Sequence, residues 1–216
     1  LKKEHDKSNI INRIHHVAKL YQSRLVGKTF LILYEGNSSE LLFKSDNLLH
    51  LCGVGTNLSA KYFYKYAINK KLSSKDIFFN TNHPYDFAST KTQHLHKAVS
   101  LLNRDSFVIT DVSTLTKTFK LGATDLEVVF CFDTQTDSKG KLINNILIPY
   151  SLRVEGIPNS KFGNMYEVNY VLSKKTGTKT YINIEYGNPD FLTSYLEKYS
   201  ISDYSINISN QNLSTK

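Results

Sequence analysis

The chain has 216 residues, enough for one sizeable core, and carries 27 Lys+Arg against 19 Asp+Glu for a formal net charge of +8. Apolar residues make up 40% and aromatics 12%, which excludes a disordered chain. No apolar run approaches the roughly 20 residues that span a bilayer, so a membrane segment is excluded as well.

The excess charge is uneven: residues 1–100 hold 15 Lys+Arg, 7 Asp+Glu and all seven histidines, whereas 101–216 balance at 12 and 12. In chain order, Ile10, Ile11, Ile14, Val17, Ala18, Tyr21 and Leu25 recur at spacings of three and four, which predicts one amphipathic helix over 5–26 that Gly27 ends. KTFLILY at 28–34 reads as a strand, residues 35–37 as a turn and ELLFK at 40–44 as the hairpin partner. In 46–52, Asp46 can cap a short helix that Gly53 stops. A helix over 58–70, capped by Asn57 or Ser59, is expected to bury Leu58, Tyr62, Phe63, Tyr66 and Ala67, and 73–79 to add a short helical turn. His83-Pro84 opens a loop. The next helix, over 88–103, has Leu95, Ala98, Val99 and Leu102 on its apolar face, with Lys91 one turn back and aimed at the body of the protein.

Beyond residue 104 the period becomes two. Strands are expected over 106–112, 115–121, 126–133, 142–153, 165–175 and 179–186. Leu126, Val128, Phe130 and Phe132 should share one face. Ile146, Ile148, Tyr150 and Leu152 should oppose Leu147, Pro149, Ser151 and Arg153. A last helix is expected over 190–199. The predicted class is α+β, with N-terminal helices packed on one face of a mostly antiparallel sheet. The organisation reads as an N-terminal helix at 1–27, a single domain at 28–199 and a polar, frayed tail at 200–216.

Most chemical motifs are missing. There is no P-loop, no G-x-G-x-x-G and no G-x-S-x-G. His94 and His96, like His15 and His16, cannot grip one ion from a helix, and Asp111, Asp125, Glu127 and Asp133 fall on separate strands, so no metal or other cofactor is expected. Cys52 and Cys131 each lie in an apolar stretch and are expected as buried free thiols in a reducing, cytoplasmic compartment. The opening LKKEHDKSN lacks the apolar core of a secretion signal.

What remains suits metal-free chemistry on RNA. Cleavage through the ribose 2′-hydroxyl needs a group that takes its proton, a group that protonates the leaving oxygen, and donors or cations for the phosphate. His50, inside LLHLCG, is either a satisfied core residue or a positioned proton carrier. Lys91 is either a site residue or a lysine snorkelling from the first turn of its helix. Ser151 and Arg153 share a sheet face, Lys175 ends a neighbouring strand, and Tyr181, Asn183 and Glu185 share the less apolar face of the last one; a solvated sheet face explains that set equally well.

Residues 43–54, FKSDNLLHLCGV, resemble the F-x-x-x-N-[FL]-x-H-L-[TC]-G-[IV] motif of the fourth phage-type group of the barnase–EndoU–colicin–RelE (BECR) nuclease superfamily, with Cys52 where the motif often has Thr. Pro149-Tyr150-Ser151-Leu152 is similar to that group's P-x-S-L signature, and the resemblance runs over about 28–187. It implies helices followed by an antiparallel sheet, a phage, prophage or mobile-element origin, and a metal-independent, toxin-like endoribonuclease acting on RNA. It raises His50 as general acid or base, Lys91 as the cation on the scissile phosphate and Ser151 as a donor to a phosphate oxygen, with Arg153, Lys175 and Tyr181 as further RNA contacts. An antitoxin or host factor would be the protein partner. Two other classes compete. A non-catalytic module would bind RNA or a host protein without cleaving. An ADP-ribosyltransferase would use His50, a tyrosine and Glu185, although HLCG lacks the small residues usual after that histidine.

Overall fold

A computed structural model describes residues 2–114, 117–154 and 161–208. Its helices are α1 (Lys2–Arg24), α2 (Asn47–Cys52), α3 (Ala60–Ile68), α4 (Tyr85–Ser100) and α5 (Leu192–Lys198), with single 3-10 turns at Leu101–Asn103 and Pro189–Phe191. The strands are β1 (Lys28–Tyr34), β2 (Asn37–Leu42), β3 (Phe107–Ser113), β4 (Thr118–Thr124), β5 (Val129–Thr136), β6 (Leu142–Arg153), β7 (Met165–Glu167), β8 (Tyr170–Lys175) and β9 (Asn183–Tyr186). They form one nine-stranded sheet in the order β7-β3-β4-β5-β6-β2-β1-β8-β9, antiparallel throughout except where β2 meets β6. The α+β expectation holds: α1 to α4 pack on one face.

The sheet curls until its two ends approach. Only Val168 and Asn169 separate β7 from β8, yet β7 is one end of the order and β8 stands next to the other end. The link is held by Val168 N–H donating to the Ser106 carbonyl (3.0 Å) and Asn169 N–H to the Leu33 carbonyl (2.9 Å). Across it the Tyr34 and Tyr166 rings lie 5.4 Å apart.

The main core fills the concave, helix-bearing side. All seven apolar residues predicted for the first helix are buried there, together with Phe30, Ile32, Phe130, Phe132, Leu95, Ala98, Val99 and Leu102. Strand alternation sends Leu31, Leu33 and Leu172 to a second cluster on the convex side, and Ile109, Val129 and Cys131 to a third.

Several expectations need correction. Tyr62 is 57% exposed while Tyr64 is buried, because the face of α3 that meets the core is set by Phe63, Tyr64 and Ala67. Residues 73–79 form a turn rather than a helix, closed by the Asp76 carboxylate accepting from Ser73 N–H and Oγ–H. Leu126 is exposed, since it belongs to the left-handed β4–β5 turn (φ 76°) and not to the strand. The strict alternation predicted for 142–153 fails: a bulge at Tyr150 puts Leu147 and Leu152 in the same core and Tyr150 on the convex side.

The largest correction concerns the tail. Residues 200–208 dock on the convex face, where Ile201, Tyr204, Ile206 and Ile208 cover the second cluster and Tyr181 exchanges backbone bonds with Ser205 and Asn207. Residues 209–216 of that predicted tail, and the start of the strand predicted at 115–121, lie outside the described residues.

Candidate functional site

The segment 43–53 shows how a histidine is placed at the surface by residues that are not. Phe43 is buried among the rings of Tyr21, Phe30, Phe130 and Phe132, at centroid distances of 5.6–6.2 Å. Tyr21 O–H also donates to the Lys44 carbonyl (3.0 Å). Asn47, itself buried, accepts from Lys44 N–H at 2.9 Å and so fixes the entry to α2. Leu48, Leu51 and Cys52 are fully buried beneath the helix. With that one face of the short helix committed to the core, His50 on the opposite face is left exposed. The core-histidine reading is thereby overturned.

Asp46 occupies the cap position without a side-chain bond to the helix. Gly53 stops α2 in the left-handed region (φ 70°), and a Cβ there would lie 2.9 Å from Cδ of Lys91. Glycine is thus required twice, by the backbone and by the lysine packed on it. Cys52 beneath has its thiol pushed up to about 12 by burial, partly opposed by the Lys91 charge. Such a thiol is not a nucleophile.

Lys91 is only 6% exposed and stacks its ammonium over the Phe87 ring at 4.4 Å, one turn back on α4. Phe87 is 40% exposed. With Asp86, Thr90, Leu152 and Val154 the two line a small, largely apolar cleft of about 270 Å³ between α4 and β6. Gly53, three residues after His50, thus ties the left-handed end of α2 to Lys91 on α4, beside β6.

Ser151 is not part of it. β6 pairs Ser151 with Cys131, Leu152 with Phe130 and Arg153 with Val129. Residues directly opposite share a face, so Leu152 joins the main core while Ser151 and Arg153 point to the convex side with Cys131 and Val129. Lys175 is exposed at the end of β8, directly opposite Lys28.

Tyr181 has no exposed surface. Its hydroxyl donates to Glu40, which also holds Lys174 (3.0 Å), and the Lys174 ammonium lies 4.1 Å from the Tyr181 ring. The reading of Tyr181 as an RNA contact is corrected: it is a structural residue, and burial with the Glu40 bond raises its hydroxyl far beyond the ordinary range. Among the described residues no three His, Cys, Asp or Glu side chains gather in a way that could hold a metal ion. No helix among them is long and apolar enough to cross a membrane.

Sequence reasoning missed Phe87 and a second, basic cleft. Arg24, Lys28 and Arg104 line an opening of about 540 Å³ with Ser23, Ser100, Asn103, Ile184 and Glu185. The signal for Phe87 was present in its four-residue spacing from Lys91. The basic cleft joins residues 80 positions apart and had no local signal.

A family model described as phage-Barnase-EndoU-ColicinE5/D-RelE like nuclease4 matches residues 13–189. The match begins inside α1, so it takes in much of the helix that the resemblance in sequence had left uncovered. Neither the curated proteins nor the solved structures gave a match.

Proposed function

The chain belongs to this phage-type nuclease family, and from that membership we propose that it is a metal-independent endoribonuclease whose proton carrier is His50 and whose phosphate-facing cation is Lys91. One observation carries the reading: the structural half of the F-x-x-x-N-L-x-H-L-C-G motif is spent on the core, leaving His50 solvent-facing beside the glycine on which Lys91 packs. A residue held outward by so much buried structure is a working residue more readily than a core one.

In this mechanism His50 takes the proton of the ribose 2′-hydroxyl. The oxygen attacks phosphorus, the bond to the 5′-oxygen breaks, and the proton passes to the leaving oxygen. The products are a 2′,3′-cyclic phosphate and a 5′-hydroxyl end. Lys91 balances the charge gathering on the phosphate, and its burial strengthens that interaction relative to one in water. The exposed Phe87 ring holds the Lys91 ammonium against its face.

The test is incubation of purified protein with total RNA in EDTA. Discrete fragments with cyclic-phosphate ends are expected, and their loss in His50→Ala. Cleavage by His50→Ala at the wild-type rate would overturn the assignment. Salt-sensitive RNA binding without cleavage would replace it by the non-catalytic module.

A further inference from the structure

At the far end of α4 from Lys91, three cations from three elements converge. Arg24 closes α1, Lys28 opens β1 and Arg104 follows the 3-10 turn, all lining the 540 Å³ cleft. Lys91 and Ser100 are nine residues apart, which is about 14 Å along the helix and half a turn around it, so this cleft is separate from the one beside Lys91. Lys175, exposed and opposite Lys28 in the β1–β8 register, adds a fourth positive charge beside Lys28.

One carboxylate sits among them. Glu185 accepts from Lys28 Nζ (2.8 Å) and Ser173 Oγ (2.7 Å) on Oε1 and from Asn103 Nδ2 (3.0 Å) on Oε2. Ser173 is fully buried and Asn183 donates to it in turn at 3.3 Å, so the carboxylate is held from behind. A carboxylate offers about four acceptor positions. Three are used by these donors, which leaves one on Oε2 of this cleft-lining residue. Arg24 donates only one fork position to the Ser100 hydroxyl (2.9 Å), and Arg104 shares its guanidinium with Asp125, a carboxylate already accepting from the Glu127 and Val128 backbone. Both arginines are exposed. A guanidinium has five donors, so each retains several for an incoming anion.

We propose that this cleft is a second nucleic-acid site, which seats one nucleotide of a single-stranded RNA: its phosphate between Arg24 and Arg104, and a base N–H on Glu185. The cations alone would fit any anion. The carboxylate in their midst repels a bare phosphate and rewards a ligand that brings a hydrogen-bond donor with its phosphate, as a nucleotide does. The choice of RNA as the source of that nucleotide rests on the nuclease reading.

The test measures binding of a short 2′-O-methyl oligonucleotide, which cannot be cleaved through its 2′-oxygen, by fluorescence anisotropy over a salt series. Arg24→Glu is expected to weaken binding by at least about tenfold, and Arg24→Gln to lower the salt slope by about 0.7, the share of one phosphate contact on a single strand. Arg24→Lys should restore most of the affinity, which separates loss of charge from loss of fold. A mononucleotide 5′-phosphate should compete where inorganic phosphate at the same concentration does not. Equal affinity and slope for wild type and Arg24→Glu would overturn the cleft, and equal competition by inorganic phosphate would overturn the Glu185 contact. Wild-type protein that binds through Arg24 yet cleaves no RNA would leave this site standing and overturn the nuclease reading. Cleavage with binding indifferent to Arg24 would do the reverse.

Discussion

Residues 48–53 and 149–152 are the two segments on which the family resemblance rests, and they are built in different ways. In the first, a two-turn helix drives Leu48, Leu51 and Cys52 into the core and turns His50 outward, and a left-handed glycine then makes room for Lys91. In the second, a bulge at Tyr150 breaks the alternation of β6, so that Leu152 enters the core and Ser151 faces the convex side. Helix and glycine bring chemistry together; the strand separates residues only one position apart. Two segments that resemble one family motif set thus need not serve one reaction centre.

The sharpest way to break this contrast is to truncate each segment at its polar residue. His50→Ala is expected to slow RNA cleavage by about 10²–10⁴-fold, the range for removal of a positioned acid or base. Because His50 is exposed, the urea midpoint should hardly move. Ser151→Ala should leave cleavage within a few-fold of wild type. A larger loss in Ser151→Ala than in His50→Ala would mean that the reaction is served from the convex face and would sink the comparison.

Gly53→Ala probes the other support of the first segment. The left-handed backbone costs about 1–2 kcal/mol for a residue with a Cβ, and Lys91 must shift from its place. Both stability and cleavage should therefore fall, measured by urea unfolding and by turnover of a defined RNA. Full activity in a destabilised Gly53→Ala protein would detach Lys91 from the chemistry.

The parts of this fold that were legible in the sequence are those where one periodicity runs unbroken. The seven apolar positions of α1 and the core face of α4 follow from spacing alone, because a helix offers one register to a flat core. Legibility failed where the backbone changes its hand or count inside an apparently regular run. Leu126 continues the period of two yet sits in a turn, and Tyr150 adds one residue that reverses every face assignment before it. Composition misled at 200–208, where Ile201, Tyr204, Ile206 and Ile208 are scattered among Ser and Asn and only the convex cluster reveals their purpose. His50 was found through its motif, but its exposure was not: an apolar flank on both sides looks the same whether the helix buries or presents the residue between. Tyr181 failed for the same reason in reverse.

Tyr181→Phe sharpens the comparison on the convex side. It removes a donor from Glu40 while keeping the ring under Lys174. A hydrogen bond to a charged group contributes about 1.5–3 kcal/mol, so a stability loss of that order is expected. RNA affinity should not change, and a selective loss of RNA binding at unchanged stability would return Tyr181 to the surface contacts.

The smallest effect concerns a histidine that the function does not use. His15 lies on the buried face of α1, and among the described residues its Nε2 has no hydrogen-bond partner. Desolvation, with a lesser push from Lys70, holds its pKa below the ordinary value of about 6.5. The unfolded chain therefore binds this proton more readily than the folded one. Above the ordinary value both states are neutral and the site is indifferent to pH; as pH falls through about 6.5 the unfolded state gains a proton first and stability declines. His15→Leu should flatten that decline in the urea midpoint between about pH 7.5 and 5.5 without altering RNA cleavage at neutral pH. An unchanged acid slope in His15→Leu would move the sensitivity to another group. Altered cleavage would mean that α1 reaches the reaction centre, erasing the division between a helix that builds the concave core and a helix end that presents His50.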